Sequence, residues 1–180
     1  MVMNMNELNG THTYDNLMKA FEGEAKAHLK YQIYKSKMAN LSKEFEEELE
    51  EIIHNEKEHG KIWFKYLHQG SVPSDIENMK DAMMGESYEY SEMYPEFARI
   101  AREEGFEDIA EAFENVGVIE GTHRDKFYEM LNNIKQEKLF KDNDFHYWKC
   151  KNCGHIIYDK EAPLICPVCA HSQKYFVRDD

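Results

Sequence analysis

Proline and glycine are scarce in this 180-residue chain, four and nine respectively, so little interrupts a helix between Tyr14 and Leu139. Positive charge is also in deficit. The 22 basic residues face 35 acidic ones, for a net charge of −13. Such a surface repels polyanions, which excludes nucleic acid and anionic membranes as expected partners. The opening residues MVMNMNELNG hold neither positive charge nor an apolar run. No secretory leader or membrane anchor is expected there, and the cytoplasm is the expected compartment. Cysteine is limited to four residues. In a reducing compartment these read as metal ligands or redox groups rather than disulfide partners.

What is present is helical periodicity. Apolar residues recur at steps of three and four in four segments. The first, about 14–39, places Leu17, Ala20, Phe21, Ala27 and Tyr31 on one face. The second follows Ser42, a natural N-cap, with Phe45, Leu49, Ile52, Trp63 and Tyr66, and Gly70 stops it. The third follows Pro73-Ser74 with Ile76, Met79, Met83, Met93, Phe97 and Ile100, ends near Gly105, and should kink at Pro95. The fourth, about 107–138, carries Ile109, Phe113, Val116, Phe127, Met130 and Ile134. Four inward stripes predict an all-α four-helix bundle over residues 12–141. The remainder, 145–180, is rich in Tyr, Trp, Cys, Gly and Pro. It is too short to build a sizeable apolar core and should need a metal to fold.

Each stripe is broken at its middle by residues that resist burial: Glu24; Glu56 and His59; Glu86 and Glu89; Glu120 and His123. Bare carboxylates gathered in a bundle cost several kcal/mol each unless cations cancel them, and two metal ions close that balance. Oxygen ligands mixed with imidazole suit iron or manganese. Carboxylate-bridged di-iron bundles use one Glu from each of two helices and Glu-x-x-His from the other two. Here the third helix holds one carboxylate beyond that requirement. Glu58, His54, His68 and Glu92 fall off the stripes and read as surface residues.

Cys150-x-x-Cys153 and Cys166-x-x-Cys169 form two knuckles that supply four thiolates to one ion. Tetrahedral sulfur suits iron and zinc alike, so a structural zinc staple is an alternative to a redox iron.

The stretches AFEGEAKAHLKY at 20–31, NEKEHGK at 55–61, GESYEYSEMYPEFARIAREEGFEDIAEAF at 85–113, and WKCKNCG with APLICPVCAHSQKYF within 148–176 resemble the rubrerythrin family over nearly the whole chain. The resemblance implies an all-α four-helix ferritin-like bundle with a small C-terminal rubredoxin-like metal-binding domain. It implies a non-haem di-iron peroxidase that reduces hydrogen peroxide to water in oxidative-stress defence. Two irons would sit in the bundle and one in the four-cysteine site. By resemblance Glu56 and Glu120 bridge the irons, Glu24 and Glu89 serve one, and Glu86 with His123 the other. His59 and Glu89 exchange on that iron with redox state. Tyr31 and Tyr94 match tyrosines that line the pocket. Electrons would enter through the rubredoxin-like centre from a donor such as rubredoxin or a reductase. Rival readings are iron oxidation and storage, as in ferritins, or a zinc-stapled scaffold. Gly121-Thr122 departs from the family pattern, and a mid-helix glycine costs ~1 kcal/mol.

The link between helices two and three adds a constraint. Helix two runs ~20 Å beyond Glu56, and helix three runs ~18 Å before reaching Glu86. Ferritin-like bundles hold these two helices parallel, yet Gly70 to Ser74 reaches at most ~18 Å. Either helix three folds back antiparallel, giving a plain up-down bundle, or helices three and four cross into a second copy. The exchanged homodimer is the favoured expectation.

Overall fold

The computed structural model describes residues 8–38 and 42–179, and two compact units emerge, Met1–Pro73 and Ser74–Asp180. The opening heptad, the expected end of the first helix at Ala39, and Asp180 lie outside the described residues.

The first unit is a pair of packed helices, α1 (His12–Lys35) and α2 (Lys43–Leu67). Thr11 and Ser42 cap them, each side chain accepting from the backbone N–H three residues on. The half-covered residues of α1 include Leu17, Ala20, Phe21, Glu24, Ala27 and Tyr31, the stripe the periodicity predicts. On α2 the covered row is Leu49, Ile53, Glu56, Gly60, Trp63 and Leu67. Phe45, Ile52 and Tyr66, expected to face inward, are instead 60%, 46% and 42% exposed. Together with His59 they form a second row at steps of seven, one that α1 does not cover. Gln69 and Gly70 turn the chain out of α2 through positive φ.

The second unit begins at a capping box. The Ser74 hydroxyl accepts from the Glu77 backbone while the Glu77 carboxylate accepts from the Ser74 N–H. Helix α3 (Asp75–Tyr88) passes into a π-helical turn at Glu89–Met93 and resumes as α4 (Tyr94–Glu103). The irregularity expected at Pro95 thus falls one turn earlier. Pro95 occupies the first turn of α4, where a missing N–H costs nothing. Gly105, at φ 86°, ends α4, and the Phe106 N–H donates back to Ala101 O at 2.8 Å. Helix α5 (Glu107–Lys135) packs against α3 and α4 and buries Ala110, Gly117, Gly121 and Leu131. Arg102 ties α4 to α5 by a two-pronged pair with Glu114 at 2.6 and 2.7 Å.

The same unit ends in a three-stranded antiparallel sheet, order β2-β1-β3, from β1 (Lys141–Cys150), β2 (Ile156–Glu161) and β3 (Phe176–Arg178). Trp148, Cys150, Ala162, Cys166 and Phe176 form its small core. Trp148 is fully buried, and its indole N–H donates to Asp159 O at 3.0 Å, satisfying the one polar atom that burial would otherwise penalise. With so few apolar residues, two of these five core positions are taken by cysteines.

Candidate metal centres

Three groups of ligating side chains form among the described residues. In the first unit Glu24 of α1 meets Glu56 and His59 of α2. His59 Nδ1 lies 3.2 Å from Glu56 and 3.9 Å from Glu24. The two carboxylates are mostly covered while His59 is half exposed. The Trp63 indole N–H reaches Glu24 Oε1 at 3.4 Å, a contact that periodicity alone does not reveal because Trp63 reads as plain core.

In the second unit Glu86 of α3 meets Glu120 and His123 of α5. His123 Nδ1 lies 2.7 Å from Glu120 and 3.6 Å from Glu86. Burial, and then the adjoining Glu120 carboxylate, push the Glu86 carboxyl above its ordinary value, with His123 opposing. Its Oε2 is buried with no hydrogen-bond partner. An acid crowded by another acid and left with an orphaned oxygen is a ligand poised for a cation. The donor set of each triad, two carboxylates and one imidazole, fits iron or manganese.

Glu89 stands at the first position of the π-turn, outside both triads. It is near enough to act electrostatically on Glu86 and Tyr94. Tyr94 is half-buried, and burial first, then Glu89, Glu120 and Glu86, hold its phenol above the ordinary range. Tyr31 is half-buried on α1, its ring 6.0 Å from that of Tyr34. His54 and Glu92 are exposed as expected, but Glu58 is partly covered beside Lys61. His68 is also half-buried, stacked on Phe64 at 4.1 Å and hydrogen-bonded to the Phe64 carbonyl. Stacking of this C-cap residue on the last turn of α2 covers a ring that the stripe leaves outside.

The third group is Cys150, Cys153, Cys166 and Cys169, all free thiols. Cys150–Cys169 and Cys153–Cys166 sulfurs are each 3.7 Å apart. A disulfide would need ~2.05 Å. Four sulfurs ~2.3 Å from a central ion stand about 3.8 Å apart at tetrahedral angles, so the cage has the size of a metal site. The His171 backbone N–H, against burial, lowers the Cys169 thiol to about 6. Cys153 feels a similar pull from the His155 N–H, but burial and the three other thiols win and raise it to about 12. His171 and Asn152, 3.3 Å apart, flank the cage without having stood out in the sequence.

Paired carboxylate–histidine triads on helices, followed by a four-thiolate cage on a small sheet, define a non-haem metalloprotein of ferritin-like and rubredoxin-like parts. The family models agree. One described as rubrerythrin matches residues 15–131, and one described as rubrerythrin, rubredoxin-like domain, matches 148–177. The chain is 40% identical to rubrerythrin of Clostridium perfringens and 36% identical to rubrerythrin-1 of Clostridium acetobutylicum, in each case over 96% of both chains. It is 36% identical to rubrerythrin of Nitratidesulfovibrio vulgaris, again over 96% of each. The chain belongs to the rubrerythrin family.

Proposed function

We propose that this protein is a cytoplasmic di-iron peroxidase of oxidative-stress defence that reduces hydrogen peroxide to water. The observation that supports this most is the presence in one chain of both triads and the thiolate cage. Iron storage needs the first but has no use for an electron-entry centre. A zinc-stapled scaffold needs the second but gives no reason to gather Glu24, Glu56, His59, Glu86, Glu120 and His123. Reduction of one peroxide consumes two electrons and two protons and releases two waters. Iron bound by the triad residues, with Glu89, would supply the Lewis acidity and the electrons, refilled through iron in the cysteine cage.

The chain's own groups handle the protons. Tyr94, held protonated by its burial and its acidic neighbours, can donate a hydrogen bond to a peroxide oxygen without losing its proton. Glu86, whose carboxyl burial and Glu120 hold above its ordinary value, is the acid of this triad that a bound cation would relieve most. Glu89 on the π-turn and half-exposed His59 are the two ligands with freedom to trade places. Tyr31 is assigned to the pocket wall.

The working form is proposed to be a homodimer in which the α3–α5 segment of one chain completes the site begun by α1 and α2 of its partner. Two observations support it. The connection between α2 and α3 is only His68–Ser74, and the row Phe45, Ile52, His59, Tyr66 carries a ligand on an uncovered apolar face. A second copy is the occupant whose triad complements this one. The electron donor is proposed to be a rubredoxin or a reductase.

Stopped-flow mixing of the fully reduced protein with peroxide or with dissolved oxygen tests the reading. Peroxide should reoxidise it much faster; equal or faster reaction with oxygen overturns the peroxidase assignment in favour of storage chemistry. Iron-grown protein should be red from ferric–sulfur ligation, and a colourless protein with zinc in the cysteine cage overturns the electron-entry role.

A further inference from the structure

Gly121 lies between Glu120 and His123, where helix propensity favours almost any other residue. It is buried, and a Cβ there would stand 2.8 Å from Cδ2 and 3.0 Å from Cε2 of Tyr90. One turn earlier, a Cβ on Gly117 would stand 3.0 Å from Tyr94 Cβ. Tyrosines four apart therefore rest on glycines four apart, which lets the π-turn segment ride against the α5 backbone. The Arg124 guanidinium lies 4.8 Å from the Tyr90 ring centroid, so the ring is held from α5 at more than one point. Tyr90 follows Glu89 directly and is four residues past Glu86, while Gly121 follows Glu120. The contact joins the two strands of helix that carry the second triad, at the level of the triad itself.

We propose that Tyr90, seated on Gly121, is a positioning residue for the Glu86–Glu120–His123 group. The missing Cβ sets how closely the Glu86 segment approaches α5, and the ring fixes that spacing. The phenol oxygen plays no part. The inference rests on the reading of these residues as a metal site. A glycine tolerated as a defect would predict the opposite behaviour on substitution, because alanine improves a helix.

Full-length, metal-stripped chain titrated anaerobically with cobalt(II) provides the test, since the two kinds of site give different spectra. The thiolate cage shows intense sulfur-to-cobalt charge transfer, and the triads show weaker bands of oxygen and nitrogen ligation. In Gly121→Ala the triad bands should require about tenfold more cobalt and change shape, as is usual when support around a ligand is lost. The thiolate bands should stay as in the parent. Tyr90→Phe should behave as the parent, and the Tyr90→Ala/Gly121→Ala double variant should bind no worse than Tyr90→Ala alone. Parental triad bands in Gly121→Ala, with a raised melting temperature, overturn the proposal. If Gly121→Ala does not fold, Tyr90→Ala decides, and parental affinity there overturns it. A parent chain that shows thiolate bands alone overturns the metal-site reading itself, a separate outcome.

Discussion

His123 Nδ1 lies 2.7 Å from the carboxylate of Glu120, one helical turn before it, and His59 stands to Glu56 in the same relation at 3.2 Å. Each pair offers oxygen and nitrogen donors from a single helix face, and the facing helix adds one more carboxylate, Glu24 or Glu86.

That geometry ranks the ligands. Glu56→Ala or Glu120→Ala removes the member closest to its histidine, and both variants should lose bundle iron. Glu89→Ala, outside the triads, should keep most of its iron and slow peroxide turnover about ten- to a hundredfold. Metal analysis beside single-turnover kinetics checks the order; equal turnover in Glu89→Ala and parent would refute the role given to Glu89.

Glu86 trades stability for binding. Its folded pKa is raised above the ordinary 4.5, so the metal-free fold favours the protonated acid. Stability should fall as pH rises from 4.5 through the raised value, because the unfolded chain has already released that proton. Glu86→Gln should therefore raise the melting temperature of chelated protein at neutral pH, gain nothing below pH 4.5, and lose metal at its triad. No gain at neutral pH in thermal melts would show that Glu86 is not strained.

The exchanged dimer makes a complementation prediction. Glu56→Ala and Glu86→Ala chains with different tags are co-expressed and the mixed dimer isolated. Exchange gathers both lesions into one site and leaves the other intact, so activity should return to about half the parental value. A mixed dimer as inactive as its parents would mean that each site is built within one chain.

The cysteine cage should titrate in separated steps when stripped of metal. Thiolate absorbance should rise near pH 6 from Cys169, and the Cys153 thiolate should form only near pH 12. Sign follows from direction: the depressed Cys169 contributes stability at alkaline pH that is lost as pH falls through about 6. Cys153 contributes below its ordinary value of 9.0 and loses that contribution as pH rises through about 12. A single unresolved step near 9 would contradict the asymmetry.

Much of this was written locally. Ser42, Ser74, Gly70 and Gly105 mark helix ends through caps and positive φ, and such signals act over a few residues. The two Glu-x-x-His pairs and the Cys-x-x-Cys knuckles are equally local, because ligands on one turn need only the right spacing. The stripe of α1 followed from period alone, since a single partner helix covers it. What tertiary structure decided is how each face is used. Ile53 and Gly60, rather than Ile52 and Tyr66, lie against α1, because a row's rotation about the helix is set by the neighbour it meets. The π-turn at Glu89–Met93 displaced the irregularity expected at Pro95, since an i→i+5 turn has no residue signature of its own. Gly121, in the sequence only an unfavourable residue in a helix, became the seat of the Tyr90 ring. A glycine's cost is local, but the reason for bearing it is the atom that occupies the space where a Cβ would be.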